Sequence, residues 1–83
     1  MSDDRVTIYS ATWCAYCHAA KEYLGKKGIN FIDKDIEKDP EAANEAITKS
    51  GQRGIPIIDV DGNIIVGFDR YKIDQALKEA HLL

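Results

Sequence analysis

The chain lacks any apolar run near the ~20 residues that a membrane-spanning helix needs, so no segment reads as transmembrane. It lacks a basic excess as well. Eleven Lys and Arg against 14 Asp and Glu leave a formal charge of -3, which argues against nucleic acid or another polyanion as partner. The opening residues Met1-Ser2-Asp3-Asp4-Arg5 have neither the basic region nor the apolar core of a secretory signal, and the expected setting is the cytoplasm. There is no repeat, no low-complexity tract and no linker. Residues 1–83 therefore read as a single domain with one modest core. Cysteine occurs only twice, which excludes a disulfide framework. In a reducing compartment a lone pair is expected to be catalytic or metal-binding rather than structural.

That pair stands three apart, in Trp13-Cys14-Ala15-Tyr16-Cys17-His18, just after the β-like run Val6-Thr7-Ile8-Tyr9. On a helix, residues i and i+3 share a face, so the two sulfurs can close a small disulfide and reopen it. Cys14 falls at the start of the helical pattern, where unpaired N–H groups and the macrodipole favour an anion. Thiols so placed are activated as thiolates. Cys17 lies one turn deeper, on the stripe it shares with Ala20 and Leu24, and is expected to stay protonated and less accessible. The asymmetry suggests a mechanism in which Cys14 attacks a disulfide and Cys17 resolves the mixed disulfide. Two ordinary buried cysteines are the plainer alternative.

The remaining pattern is compact. Thr12 is a candidate cap for the first helix, which stops at Gly28 after Lys26 and Lys27. Ile29-Asn30-Phe31-Ile32 reads as a second strand, parallel to the first by its βαβ spacing. Asp39-Pro40-Glu41 opens a helix over Ala42, Ala43, Ala46 and Ile47 that ends at Ser50-Gly51. Ile57-Ile58-Asp59-Val60, Asp61-Gly62 and Asn63-Ile64-Ile65-Val66 form a hairpin signal with a type I′ turn. Asp69 is a candidate N-cap for a last helix that turns Ile73, Ala76, Leu77 and Ala80 inward. The fold class is α/β, in the order β-α-β-α-β-β-α, with a four-stranded mixed sheet. The acidic run from Asp33 to Glu45 reads as a solvated face. Ile55-Pro56 reads equally as a plain strand-start proline or as a cis-proline facing the cysteines with the Ile55 backbone free.

The motif Cys14-Ala15-Tyr16-Cys17-His18 is also the C-x-x-C-H pattern of c-type haem attachment. The β-branched runs and the Asp-Gly hairpin are foreign to a helical cytochrome, and a second axial ligand is scarce. Zinc fits no better. Two cysteines, His18 on the same helix and the distant His81 are not a usual set of four, so no metal site is expected. His18 reads as a partly exposed helix residue without a direct catalytic role.

The strand-CxxC-helix start, the Ile55-Pro56 turn and the Gly67-Phe68-Asp69 stretch together resemble a glutaredoxin of the thioredoxin fold, closest to small bacterial glutaredoxin-like proteins. The resemblance runs from Arg5 to Ala80. It implies a three-layer α/β/α thioredoxin fold and a dithiol thiol-disulfide oxidoreductase with glutathione as co-substrate and no bound cofactor. Cys14 is then the nucleophile and Cys17 the resolving thiol, with Tyr16 at the aromatic position of the active-site motif. Gln52 and Arg53 would hold the glycine carboxylate of glutathione. Ile55, before Pro56, would pair with the cysteinyl backbone, and Gly67, Phe68 and Asp69 would face the γ-glutamyl end. Four departures stand out: Ala15 for the usual proline, Ala11 for a glutathione-binding lysine, Gly54 for a threonine and Val66 for a glycine. Loss of the lysine removes one charge-assisted contact, worth about 1.5–3 kcal/mol.

The Gly67-Phe68 pair also resembles glutaredoxin-like electron donors reduced by thioredoxin reductase, such as those serving ribonucleotide reductase. Trp13 and Ala15 resemble members that hold a [2Fe-2S] cluster between two subunits with glutathione. A binding module that kept the fold and lost its activity is a further class, disfavoured by the intact motifs. Oxidised proteins and glutathione are the expected partners, with thioredoxin reductase as the alternative, and the expected state is a monomer.

Overall fold

A computed structural model describes residues 5–83. Its elements follow the expected order: β1 (Val6–Ser10), α1 (Ala15–Lys26), β2 (Ile32–Asp35), α2 (Pro40–Ser50), β3 (Ile57–Val60), β4 (Asn63–Val66) and α3 (Arg70–Glu79). The sheet order is β2-β1-β3-β4. β1 pairs in parallel with β2, Thr7 opposite Ile32, and antiparallel with β3, Ile8 opposite Ile58. β4 closes the sheet antiparallel to β3.

Every residue of β1 is buried, because both faces of the sheet are covered. Alternation along the strands feeds two cores. Val6, Ile8, Ile58, Val60 and Ile65 point to one face, where α1 and α3 deliver Ala20, Leu24, Ile73, Ala76 and Leu77. Tyr9 and Ile57 point to the other face, against Ala42 and Ala46 of α2. This is the three-layer arrangement. Among the described residues, no helix is long and apolar enough to cross a membrane.

Two local expectations hold. Asp61 and Gly62 have φ of 51° and 95°, as a type I′ turn requires, and the Gly62 N–H donates to Asp59 Oδ1 at 2.9 Å. Asp39 caps α2 with its carboxylate, accepting from the Glu41 and Ala42 N–H groups, and Pro40 occupies the first turn.

The second strand is a correction. It runs Ile32–Asp35, three residues beyond the expected Ile29-Asn30-Phe31-Ile32. Ile29 closes α1 instead, and Phe31 packs, partly buried, against the larger core. Gly28 takes φ 73°, its N–H donates to Gly25 O at 3.1 Å, and the Ile29 N–H donates to Leu24 O at 3.0 Å. These bonds form a Schellman motif, whose hydrophobic contact joins buried Ile29 to Leu24. α3 ends the same way, with His81 at φ 60° in the glycine position and the Leu82 N–H bonded to Leu77 O at 2.8 Å.

Candidate active site

β1 runs into a tight turn that delivers the cysteine pair. The Cys14 N–H donates to Ala11 O at 3.1 Å, so Thr12 and Trp13 occupy the turn. Cys14 itself is the N-cap of α1, which corrects the expectation for Thr12: its backbone is extended and its sulfur accepts the Cys17 N–H at 3.1 Å. The role that an Asp or Ser oxygen plays at other helix starts is played here by sulfur. A thiolate at this point meets an unpaired donor and the positive end of the helix.

Cys14 is 5% exposed and Cys17 is fully buried, packed with Ala11 against Ile36 and Ile55. Burial pushes the Cys17 thiol up to about 12, and its hydrogen bond with Cys14 adds to the rise. A backbone hydrogen bond from Ala11 and the charge of Lys21 act in the opposite sense. Both cysteines are free thiols. Both sulfurs are thus buried, and they differ in the donors each meets.

The turn is tied down by two contacts that spacing alone does not reveal. His18 Nε2 donates to Thr12 O at 2.8 Å, and Trp13 Nε1 donates to Glu37 Oε2 at 2.8 Å, across to the loop between β2 and α2. His18 is exposed, as expected, yet it braces the loop that precedes the nucleophile position. Its engaged ring nitrogen and the mixed sheet are both at odds with haem ligation. The acidic run is likewise more than a solvated face. Asp33 accepts from Ser10 Oγ at 2.6 Å, and Glu45 accepts from Tyr9 OH at 2.8 Å and Lys34 Nζ at 2.9 Å. These contacts need the β1–β2 register, which no local pattern specifies.

The Ile55–Pro56 bond is cis, and the Ile55 side chain reaches the cysteine cluster. The Ile55 N–H and C=O carry no hydrogen bond among the described residues. Pro56 O accepts the Gly67 N–H at 2.8 Å, which ties the Gly67-Phe68-Asp69 stretch to the proline turn. Gly67 has φ 85°, a conformation suited to glycine. Asp69 caps α3 through Oδ1, which accepts the Lys72 N–H at 3.2 Å. The Phe68 ring turns inward, edge-on to Tyr23 with centroids 5.7 Å apart, so its packing is with α1. Tyr16 stands exposed on the first turn of α1, and Arg53 is exposed on the loop before the proline.

Gln52 is differently disposed from the role the resemblance assigns it. Its side-chain oxygen accepts the Gly54 N–H at 2.6 Å and its Nε2 donates to Gly54 O at 3.0 Å. The amide is folded back onto its own loop. A Cβ at residue 54 would lie 2.7 Å from Gln52 Oε1, so the glycine is what gives the amide its room.

The sequence profile of the glutaredoxin family matches residues 6–65, from β1 into β4. The chain belongs to the glutaredoxin family. It is similar to a glutaredoxin-like 8.6 kDa protein in the rubredoxin operon of Clostridium pasteurianum, 40% identical over 74 residues and covering 89% of this chain and 99% of that one. Glutaredoxin 3 of Escherichia coli K12 is 38% identical over 64 residues, 77% of each chain. Among solved structures, the Escherichia coli glutaredoxin-like protein NrdH-redoxin superposes with a TM-score of 0.76 at 31% identity, covering 86% of this chain and 92% of that one. The fold is the thioredoxin fold. With the Cys14–Cys17 pair at the helix start, this glutaredoxin-family protein is a thiol-disulfide oxidoreductase.

Proposed function

We propose that Cys14 and Cys17 act as a dithiol pair on oxidised proteins in the reducing cytoplasm. The Cys14 thiolate attacks one sulfur of the substrate disulfide, and the other sulfur leaves as a thiolate. Cys17 then attacks Cys14, closing the Cys14–Cys17 disulfide and releasing the second substrate thiol. The carrying observation is the unequal pair: Cys14 as an N-cap sulfur accepting the Cys17 N–H, and Cys17 fully buried with its thiol held near 12. The unbonded Ile55 backbone beside the cysteines supports an extended substrate strand pairing there.

The reductant is the second question. Glutathione is the family's common supply, and glutathione mixed disulfides are then substrates too. Two observations favour supply by thioredoxin reductase instead. Gln52 is engaged by Gly54, and Ala11, 1% exposed, offers no ammonium where a glutathione carboxylate would need one. The similar Escherichia coli NrdH-redoxin has a thioredoxin-like activity profile. In that reading the protein passes electrons on to an enzyme such as ribonucleotide reductase. An iron–sulfur cluster has no part in this proposal. Such a cluster would need a second copy of this chain and glutathione to complete its ligands, which makes it a separate reading from the dithiol one.

A two-armed NADPH-oxidation assay tests the proposal on a small disulfide. One arm supplies glutathione with glutathione reductase, the other thioredoxin reductase alone. Turnover confined to the reductase arm is expected. Turnover confined to the glutathione arm would mean that Arg53 and Asp69 suffice for glutathione. Cys14→Ser abolishes either activity, whereas Cys17→Ser spares only glutathione mixed disulfides. Activity retained by Cys14→Ser would sink the dithiol mechanism.

A further inference from the structure

Resolution of the mixed disulfide requires a buried thiol to ionise. In the reduced pair, burial first and then the hydrogen bond with Cys14 hold that thiol well above its ordinary value, and the burial remains when Cys14 is bonded to substrate. The groups facing Cys17 are few. On the helix side are Cys14 and Lys21; beyond the end of β1 comes the Ala11 backbone; Ile36 and Ile55 add apolar surface. Lys21 follows Cys17 by four residues, one turn along the same face of α1. Its side chain is only 22% exposed, and its Nζ is fixed against Asp33 Oδ2 of β2 at 2.8 Å. The second oxygen of Asp33 is held at 2.6 Å by Ser10 Oγ, and Ser10 is buried immediately before Ala11. Burial works to raise the Asp33 carboxyl, but the Lys21 and Ser10 hydrogen bonds outweigh it and keep the group ionised below its ordinary range.

We propose that Ser10, Asp33 and Lys21 form a positioning cluster for the resolution step, holding an ammonium one turn from Cys17, where it favours the attacking thiolate. This rests on the dithiol reading above. In the step, Cys17 gives up its proton and its sulfur attacks Cys14. The Cys14–substrate bond breaks, and the electron pair and a proton end on the departing substrate sulfur. Lys21 touches none of the reacting atoms; it is a positioning residue. Asp33 and Ser10 act through Lys21, fixing where its ammonium stands.

Dithiobis(nitrobenzoate) separates the two steps, since the reduced protein releases one nitrothiophenolate when Cys14 reacts and a second when Cys17 displaces it. Lys21→Gln is expected to slow the second phase about three- to tenfold and move its pH profile upward by about half to one unit, with the first phase within about twofold. Lys21→Arg restores the second phase, and Asp33→Asn, which frees the ammonium from its anchor, slows it. An unchanged second phase in Lys21→Gln, equal slowing of both phases, or quickening by Asp33→Asn would each overturn the proposal. A first phase that survives Cys14→Ser instead indicts the dithiol reading.

Discussion

At the scale of the residue, Gly54 sets the posture of Gln52. No other side chain leaves the Gln52 amide space to bond both the N–H and the C=O of residue 54, because a Cβ there meets its oxygen at 2.7 Å. The atom met is the end of a flexible side chain, so it can swing away cheaply. Gly54→Thr is therefore expected to release the amide toward solvent and raise the glutathione arm of the coupled assay relative to the reductase arm, with little loss of stability. An unchanged ratio would separate Gln52 from glutathione use. His81 shows the converse economy. It adopts φ 60° at the end of α3, where glycine is at ease and a β-carbon is strained. His81→Gly should stabilise the protein by about 0.5–1 kcal/mol, read as a higher midpoint in urea.

At the scale of the element, polar bridges lock helices to the sheet. Glu45 of α2 accepts from Lys34 of β2 and Tyr9 of β1, while Lys49 of α2 donates to Tyr9 OH at 2.9 Å and Asp59 of β3 at 2.6 Å. The Lys34 hydrogen bond, then the one from Tyr9, holds the Glu45 carboxyl below its ordinary value. A depressed carboxyl contributes its stability above the unfolded value, about 4.3, and loses it as the pH falls through the lower folded value. Glu45→Gln should therefore flatten the acid limb of the stability profile and lower the urea midpoint near neutrality more than at pH about 3. A parallel shift at all pH values would assign Glu45 a packing role alone.

At the scale of the whole molecule, the sheet must be covered on both faces before the site exists, because β1 carries the active-site turn and has no exposed residue. Ile58 lies fully buried in the larger core, opposite Ile8 of β1. Ile58→Ala should cost about 2–5 kcal/mol, a large share of the ~5–15 kcal/mol total for a small domain, and its thermal unfolding should start near working temperatures. Much of this architecture follows from local pattern. Periodicity, Asp39-Pro40, Asp61-Gly62 and Asp69 determine the helices, the hairpin and the element order, because caps and turns act within a few residues. The Cys14-Ala15-Tyr16-Cys17 spacing likewise determines the pair and its inequality, since one helical turn separates the end of a helix from its buried stripe. Tertiary structure decided the rest. Ile29 reads as strand until the core claims it to close α1, and Thr12 reads as a cap until the turn from Ala11 hands that position to Cys14. Gln52 turning onto Gly54, Trp13 reaching Glu37, and Ser10 and Lys21 converging on Asp33 depend on loop geometry and strand register. Register is chosen by burying two faces at once, and no stretch of sequence holds that information alone.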